Sequence, residues 1–371
     1  MGIESRCDLV LLSWNHLECT RPCVESILAH TALPSRLIIV DQNSDEETRR
    51  YLRGLQSSST VRVETLFNPT NVGYPKGMNL GLARASAPFV CFLNNDILVP
   101  PGWLEELITV AESNPSIGTV CPASNTFDIH PPAGTDWLAY ARIRSTQPGQ
   151  WIEIPYGEGF CLLARTEVMR RIGGFDETTY EQIYFEDADL GRRIQEEGLR
   201  CVMAEGTYVW HHGGKTMAHH PDRLRLFEEN KRRFLAKWGP QGRHALFVVG
   251  SSQPKLETLM QSARSEANRG GKVWIMMNSF FSQTPCRHLE IRIQCSNRWA
   301  LPWKALWKSL AKKKKFEVIY TDVPWLRWVL TPLRFIHQAS IGPIAHLVEQ
   351  RTFNPLSGVR VPVGPLPPKR P

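Results

Sequence analysis

Five places in this 371-residue chain gather side chains that could do chemistry. Asn94-Asn95-Asp96 follows the apolar run 89–93. A carboxylate there can hold Mg²⁺ or Mn²⁺ against a diphosphate, and the same tripeptide also reads as an ordinary turn. Asp41, with Asn43 and Ser44 after it, ends a second apolar run. It could accept hydrogen bonds from a base or ribose edge, while Ser44 could cap a helix beginning at Asp45-Glu46-Glu47. The stretch Asn71–Gly81 carries Gly73, Gly77 and Asn79. Its glycines would let a ligand approach the backbone, and the helix start would offer free N–H groups to phosphate. Glu186-Asp187-Ala188-Asp189 opens another helical pattern. Mutual repulsion of its carboxylates raises proton affinity and suits a general base, although acids also favour a helix N-terminus through the dipole. His211-His212 follows a short apolar run, and a neutral imidazole there could serve a metal.

The elements that must position these residues are legible as runs and periodicities. Segments 8–12, 37–40 and 89–93 are continuous apolar runs bounded by polar corners, as in strands buried on both faces of a parallel sheet. Between them, 18–30 and 75–86 have helical spacing, with Met78, Leu80 and Leu82 expected inside. Strand–helix alternation predicts an α/β sandwich whose ligand sits beyond the carboxyl ends of the strands, where the clusters at 13–16, 41–45 and 94–96 fall. Residues 122–157 read as a long loop, followed by a strand at 161–163, helices near 166–172 and 187–198, and strands at 200–204 and 207–210. A closing helix at 222–238 is expected to turn Leu224, Phe227, Phe234 and Leu235 inward.

Charge divides the chain. Residues 1–245 hold 25 Lys+Arg and 30 Asp+Glu (25 − 30 = −5), and 246–371 hold 19 and 6 (19 − 6 = +13). The acidic body suits a metal site, and the basic remainder suits an anionic surface. The 9 cysteines form no CxxC pair, which fits a reducing cytoplasm rather than a disulfide framework. Neither a secretory signal nor a transmembrane run is evident.

Taken in order, SWNH (13–16), VDQNSDE (40–46), NVGYPKGMNLGL (71–82), FLNND (92–96), GGFDE (173–177), YFEDADLGRR (184–193) and VWHHGG (209–214) resemble the family-2 glycosyltransferases of the GT-A fold, in particular a bacterial rhamnosyltransferase-like branch. The resemblance spans about residues 7–240. It implies a Rossmann-like, mostly parallel sheet sandwiched by helices, and direct displacement with inversion from a nucleotide-diphosphate sugar to a hydroxyl of a glycan or lipid-linked acceptor. It implies that Asp41 contacts the nucleotide with Asn15 and Asn43 beside it, and that Asn71, Gly73, Gly77 and Asn79 form the adjoining loop. Asn94, Asn95 and Gly159 would line the substrate. Asp96 would bind Mg²⁺ or Mn²⁺, with His211, or alternatively His212, as a second ligand. Asp187 would be the general base, supported by Glu186 and Asp189. Asn94 stands where the family's DXD motif has its first acid. That departure favours one rival, a catalytically silent nucleotide-sugar- or glycan-binding module. A nucleotidyltransferase is the other, but it would want a Gly-rich basic signature near the first strand.

Three segments are expected: a catalytic domain at 1–245, a small basic α/β or irregular region at 246–337, and a disordered tail at 338–371. Trp299, Trp303 and Trp307 recur beside Lys312–Lys315, so residues 297–315 either pack on the catalytic domain or touch an anionic membrane from a cytoplasmic position. Nucleic acid is not expected as a partner. Residues 344–356 resemble a reading frame that has run across a transfer-RNA gene.

Overall fold

The computed structural model describes residues 4–213, 222–250, 254–279, 287–311, 316–333 and 339–343. The chain forms two compact units, Met1–Pro240 and Gln241–Pro371.

The first unit is built on an eight-stranded sheet. Its four-stranded parallel part comprises β1 (Cys7–Ser13), β2 (Ser35–Asp41), β3 (Val61–Phe67) and β4 (Phe89–Asn94), in the order β3-β2-β1-β4. Helices α1 (Leu17–His30), α2 (Glu46–Arg53) and α3 (Tyr74–Arg84) make the crossovers. Leu9, Leu11, Leu37, Ile39, Cys91 and Leu93 are fully buried in one core, as strands covered on both faces require. Ser13 pairs with Asp41 and Leu12 with Asn94, so three polar corners open along one sheet edge.

Three corrections arise here. Met78 and Leu82 are buried on α3, but Leu80 is 37% exposed because it lies off their stripe. The cap of α2 is Asp45, which accepts the N–H of Thr48, whereas the Ser44 hydroxyl accepts the N–H of Asn15. The supposed loop 122–157 contains two regular elements described below.

After β5 (Ile97–Leu98) and α4 (Trp103–Ser113), the chain forms β6 (Ile117–Ala123), α5 (Trp137–Arg144), β7 (Trp151–Ile154) and β8 (Cys161–Arg165). Then come α6 (Thr166–Arg171), α7 (Glu186–Glu196), β9 (Arg200–Tyr208), β10 (Trp210–His211) and α8 (Arg223–Trp238). The sheet continues β4-β8-β6-β9-β7. β8 runs antiparallel to β4, with Leu93 opposite Cys161, so the residues just before β8 arrive at the edge where β4 ends. β10 pairs antiparallel with β5, setting His211 opposite Ile97, one residue from Asp96. On α8 the expected inward face is formed in part: Phe234 and Leu235 are half-buried, but Leu224 is 78% exposed, Phe227 lies near the surface, and the fully buried residue is Asn230.

The second unit is more regular than expected. Strands β11 (Ala245–Val249), β12 (Val273–Asn278), β13 (Ile291–Ser296), β14 (Val318–Thr321) and β15 (Ser340–Pro343) form a wholly parallel sheet ordered β13-β12-β11-β14-β15. Helices at Pro254–Asn268, Leu301–Ala311 and Pro324–Leu330 join them, with apolar cores on both faces. The unit starts at 241 and its first strand at Ala245, a little ahead of the expected boundary. β15 lies within the segment expected to be a disordered tail, while 344–371 and the lysine run 312–315 lie outside the described residues.

Candidate active site

A cavity of about 540 Å³ in the first unit opens at the edge where β1 and β4 end. Of the expected residues, Asn71, Gly73, Asn94, Asn95, Asp96, Gly159, Glu186, Asp187 and His211 line it. Sequence reasoning missed Trp14, Tyr74, Glu158 and Arg223, which line it too.

Asp96 and His211 meet at the mouth of β4. His211 Nε2 lies 3.1 Å from Asp96 Oδ1, yet this buried nitrogen makes no aligned hydrogen bond. The ring is held in place on every other side. Its Nδ1 is 2.9 Å from the Thr126 hydroxyl, and its face stacks on Phe160 at 5.0 Å. The Asn125 side chain takes both its backbone groups, N–H at 3.0 Å and carbonyl at 2.7 Å. A polar partner on one ring nitrogen, with the other aimed at a carboxylate, is how a metal-ligating histidine is oriented. His212 does not line the cavity; its N–H donates to the Asp96 carbonyl at 2.9 Å. Among the described residues no group of three His, Cys, Asp or Glu could hold a metal ion. Two protein ligands fit a cation that keeps its other positions for waters and phosphate oxygens, as Mg²⁺ does.

Glu158, Glu186 and Asp187 line the same cavity. Burial, then the Asp187 charge, pushes the Glu158 carboxyl up to about 8. Burial, followed by Asp187, holds Glu186 well above the usual carboxylate range, and its Oε2 has no hydrogen-bond partner. Burial also raises Asp187, opposed by backbone N–H groups of Ala188 and Gly159 that donate to it. The Asp187–Ala188 bond is 2.7 Å. Three carboxylates with raised proton affinity mark a proton-handling site.

The turn that presents them is strained. Tyr184 and Phe185 sit at φ 78° and 71°, in a left-handed region costly for bulky residues. α8 holds that turn: Asn230 donates to the carbonyls of Ile183 at 2.8 Å and Tyr184 at 3.2 Å. Phe227 and Phe234 pack on Phe185 at 5.3 and 5.4 Å.

Six expected residues do not line the cavity. Asp41 is fully buried, accepting the N–H of Ser44 at 3.3 Å and lying 3.5 Å from Arg49 Nε. Asn15 accepts the N–H of Asp45 at 2.8 Å and so ties the loop after β1 to the loop after β2, while Asn43 is 3.4 Å from Arg49 and ties its own loop to α2. Gly77 is small because a Cβ would strike Leu12 and Gln42. Asn79 bonds both backbone groups of Phe175 and the Glu177 carboxylate, in a separate cavity. Asp189 turns away from its neighbours into a cluster with Arg193, Lys237 and the Trp238 indole, at 2.7, 2.7 and 2.8 Å.

The start of α3 also departs from expectation. Val72 N–H donates to Gln42, Gly73 N–H to Asn71 and Tyr74 N–H to the Gln182 carbonyl, so these donors are already used. Gly73 is needed for its φ of 83° and because a Cβ would meet the Glu181 carbonyl. Arg223 is then the sole Lys or Arg among the described residues lining the cavity.

Residues 8–173 match the family model described as glycosyl transferase family 2. This segment is similar to that family. The chain is 31% identical over 215 residues to the O-antigen biosynthesis protein RfbC of Myxococcus xanthus, covering 52% of this chain and 16% of that protein. It is 30% identical over 144 residues to a pre-mycofactocin glycosyltransferase of Mycobacterium tuberculosis, covering 37% and 30%. An N-acetylglucosaminyl-diphospho-decaprenol L-rhamnosyltransferase of the same species is 26% identical over 241 residues, covering 54% and 75%. The chain thus spans under a third of the length of the first two relatives.

Proposed function

We propose that the first unit transfers a sugar, with inversion, from a nucleoside-diphosphate donor to a hydroxyl of a glycan or lipid-linked acceptor. One observation carries this reading: the Asp96–His211 pair and the carboxylates Glu158, Glu186 and Asp187 share one cavity in a family-2 segment. The relatives' names, an O-antigen biosynthesis protein and an N-acetylglucosaminyl-diphospho-decaprenol L-rhamnosyltransferase, favour a cell-surface or lipid-linked acceptor.

In this mechanism the acceptor oxygen attacks the anomeric carbon as the bond to the diphosphate breaks. The bonding electrons leave with the nucleoside diphosphate, and the acceptor proton passes to Asp187. Its raised proton affinity and its N–H contacts from Gly159 and Ala188 hold it ready for that proton. Asp96 and His211 would hold Mg²⁺ or Mn²⁺, which when bound supplies positive charge against the diphosphate. Arg223 adds a guanidinium on the cavity wall, and the Trp14 ring offers a face on which a base can stack.

Nucleotide release from dTDP-, UDP- and GDP-sugars, with Mg²⁺ or Mn²⁺ and with donor binding followed by thermal shift, tests the proposal. Turnover of one donor that is lost in Asp187→Asn supports it. Donor binding without turnover under every acceptor tried points to the silent binding module. Failure to bind any donor sinks the reading.

A further inference from the structure

The second unit presents a surface that the transfer reaction does not use. The helix Leu301–Ala311 buries Leu301, Pro302, Ala305 and Ser309 on one side, with Pro302 harmless in the first turn. Its opposite side carries Trp303, Lys304 and Trp307. The helix Pro324–Leu330 repeats the pattern, burying Leu326 and Leu330 and turning out Trp325, Arg327 and Trp328.

Trp303 and Trp325 touch at a ring separation of 5.2 Å, so the two helices share one face. Trp299, Trp303, Trp307 and Trp328 are 81, 65, 75 and 80% exposed. Single exposed apolar side chains are ordinary, whereas a contiguous group of exposed indoles marks a contact surface.

We propose that this tryptophan face docks the chain on an anionic lipid bilayer. Indoles prefer the boundary between hydrocarbon and headgroups, where an apolar body and an N–H donor are both satisfied. The flanking charge has the complementary sign: Arg298, Lys304 and Arg327 stand among the indoles, Lys308 folds back over Trp274, and the sequence between 297 and 330 adds Lys312–Lys315 against Glu317 and Asp322 alone. Basic residues alternating with indoles on a helix that buries only its other side are the pattern of an interfacial helix, not of a spanning one. No helix among the described residues is long and apolar enough to cross a membrane. Single-stranded nucleic acid also stacks on aromatic rings, but along a basic groove that threads successive bases. Here the rings cluster across two neighbouring helices.

Co-sedimentation of the full chain with vesicles of phosphatidylcholine, or of phosphatidylcholine with about a third phosphatidylglycerol, tests the proposal. Pelleting is expected with the anionic vesicles and lost near 1 M salt, where the Debye length falls to about 3 Å. A triple change, Trp303→Ser, Trp307→Ser and Trp328→Ser, should weaken it by about tenfold or more. Lys304→Ala should weaken it about fivefold. Quenching of tryptophan fluorescence by brominated lipid in the unaltered chain gives a reading independent of whether the triple variant folds. Equal binding to both vesicles, no quenching by brominated lipid, or a folded triple variant that pellets unchanged overturns the proposal. So does an oligonucleotide that binds through the same tryptophans while vesicles do not.

Discussion

Glu158 and Asp187 approach the cavity from different elements, yet the backbone joins them: the N–H of Gly159, next to Glu158, donates to the Asp187 carboxylate. The segment before β8 therefore steadies one acid and places a second beside it. Glu158 carries its proton through neutral pH because burial and the Asp187 charge both oppose ionisation.

Protonation gives a first prediction. The folded pKa of Glu158 is about 8, above its ordinary value of 4.5, so the native state holds a proton that the unfolded state releases. Stability should therefore fall as pH rises from 4.5 to about 8, and Glu158→Gln should flatten that decline. Above pH 8 the ionised Glu158 also repels an anionic donor, so the donor KM should rise in the unaltered protein and not in the variant. Thermal midpoints and initial rates across this range measure both.

A proton acceptor accounts for about a hundredfold to ten-thousandfold of a rate, and Asp187→Asn should lose that much in kcat with little change in donor binding. Asp189→Asn offers the contrast. Its carboxylate is fully buried among Arg193, Lys237 and Trp238, so neutralising it should lower stability by about 3 kcal/mol or more. A folded fraction of that variant with normal kcat would separate the two neighbouring acids; a kcat loss like that of Asp187→Asn would not.

His211→Ala should raise the Mg²⁺ or Mn²⁺ concentration needed for half-maximal activity by about ten- to a hundredfold, the range for disturbing a metal's surroundings. Thr126→Val, which removes the partner of Nδ1, should move it in the same direction by less. Metal titration of the rate decides this. An unchanged requirement in His211→Ala removes the histidine from the metal site.

Asn230 has no place in the chemistry but secures the turn at Tyr184–Phe185. Asn230→Ala leaves two half-buried carbonyls short of a donor, at about 1–3 kcal/mol. Because the turn aims Glu186 and Asp187, kcat should fall about tenfold, while Asn230→Asp should fail to restore it for want of an N–H₂ donor. Denaturant melts and kcat together test this.

The sequence made the strand ends legible because buried parallel strands are written as unbroken apolar runs. Cys7–Ser13, Ser35–Asp41 and Phe89–Asn94 lie where those runs lie. β3 was missed because Val61–Phe67 mixes Arg62, Glu64 and Thr65 into a partly covered strand. Trp137–Arg144 and Trp151–Ile154 were hidden among turn residues. At the site, type and spacing found Asp96, His211, Glu186 and Asp187, whose motifs are compact. Glu158 and Arg223 left no local signal, since only the antiparallel return of β8 and the entry of α8 bring them to the cavity. Asp41, Asn15 and Asn79 have polar side chains spent on neighbouring loops, a use that composition cannot tell from ligand binding.

The clasp of α8 on the turn at Tyr184–Phe185 also orders events during synthesis. Asn230, Phe227 and Phe234 are the last parts of the first unit to be made, and the turn's left-handed residues have no local reason to hold their shape without them. A chain ending before residue 223 keeps every strand from β1 to β9 but lacks the residues that hold the turn. The proposed site is therefore finished only when the closing helix has docked on the turn.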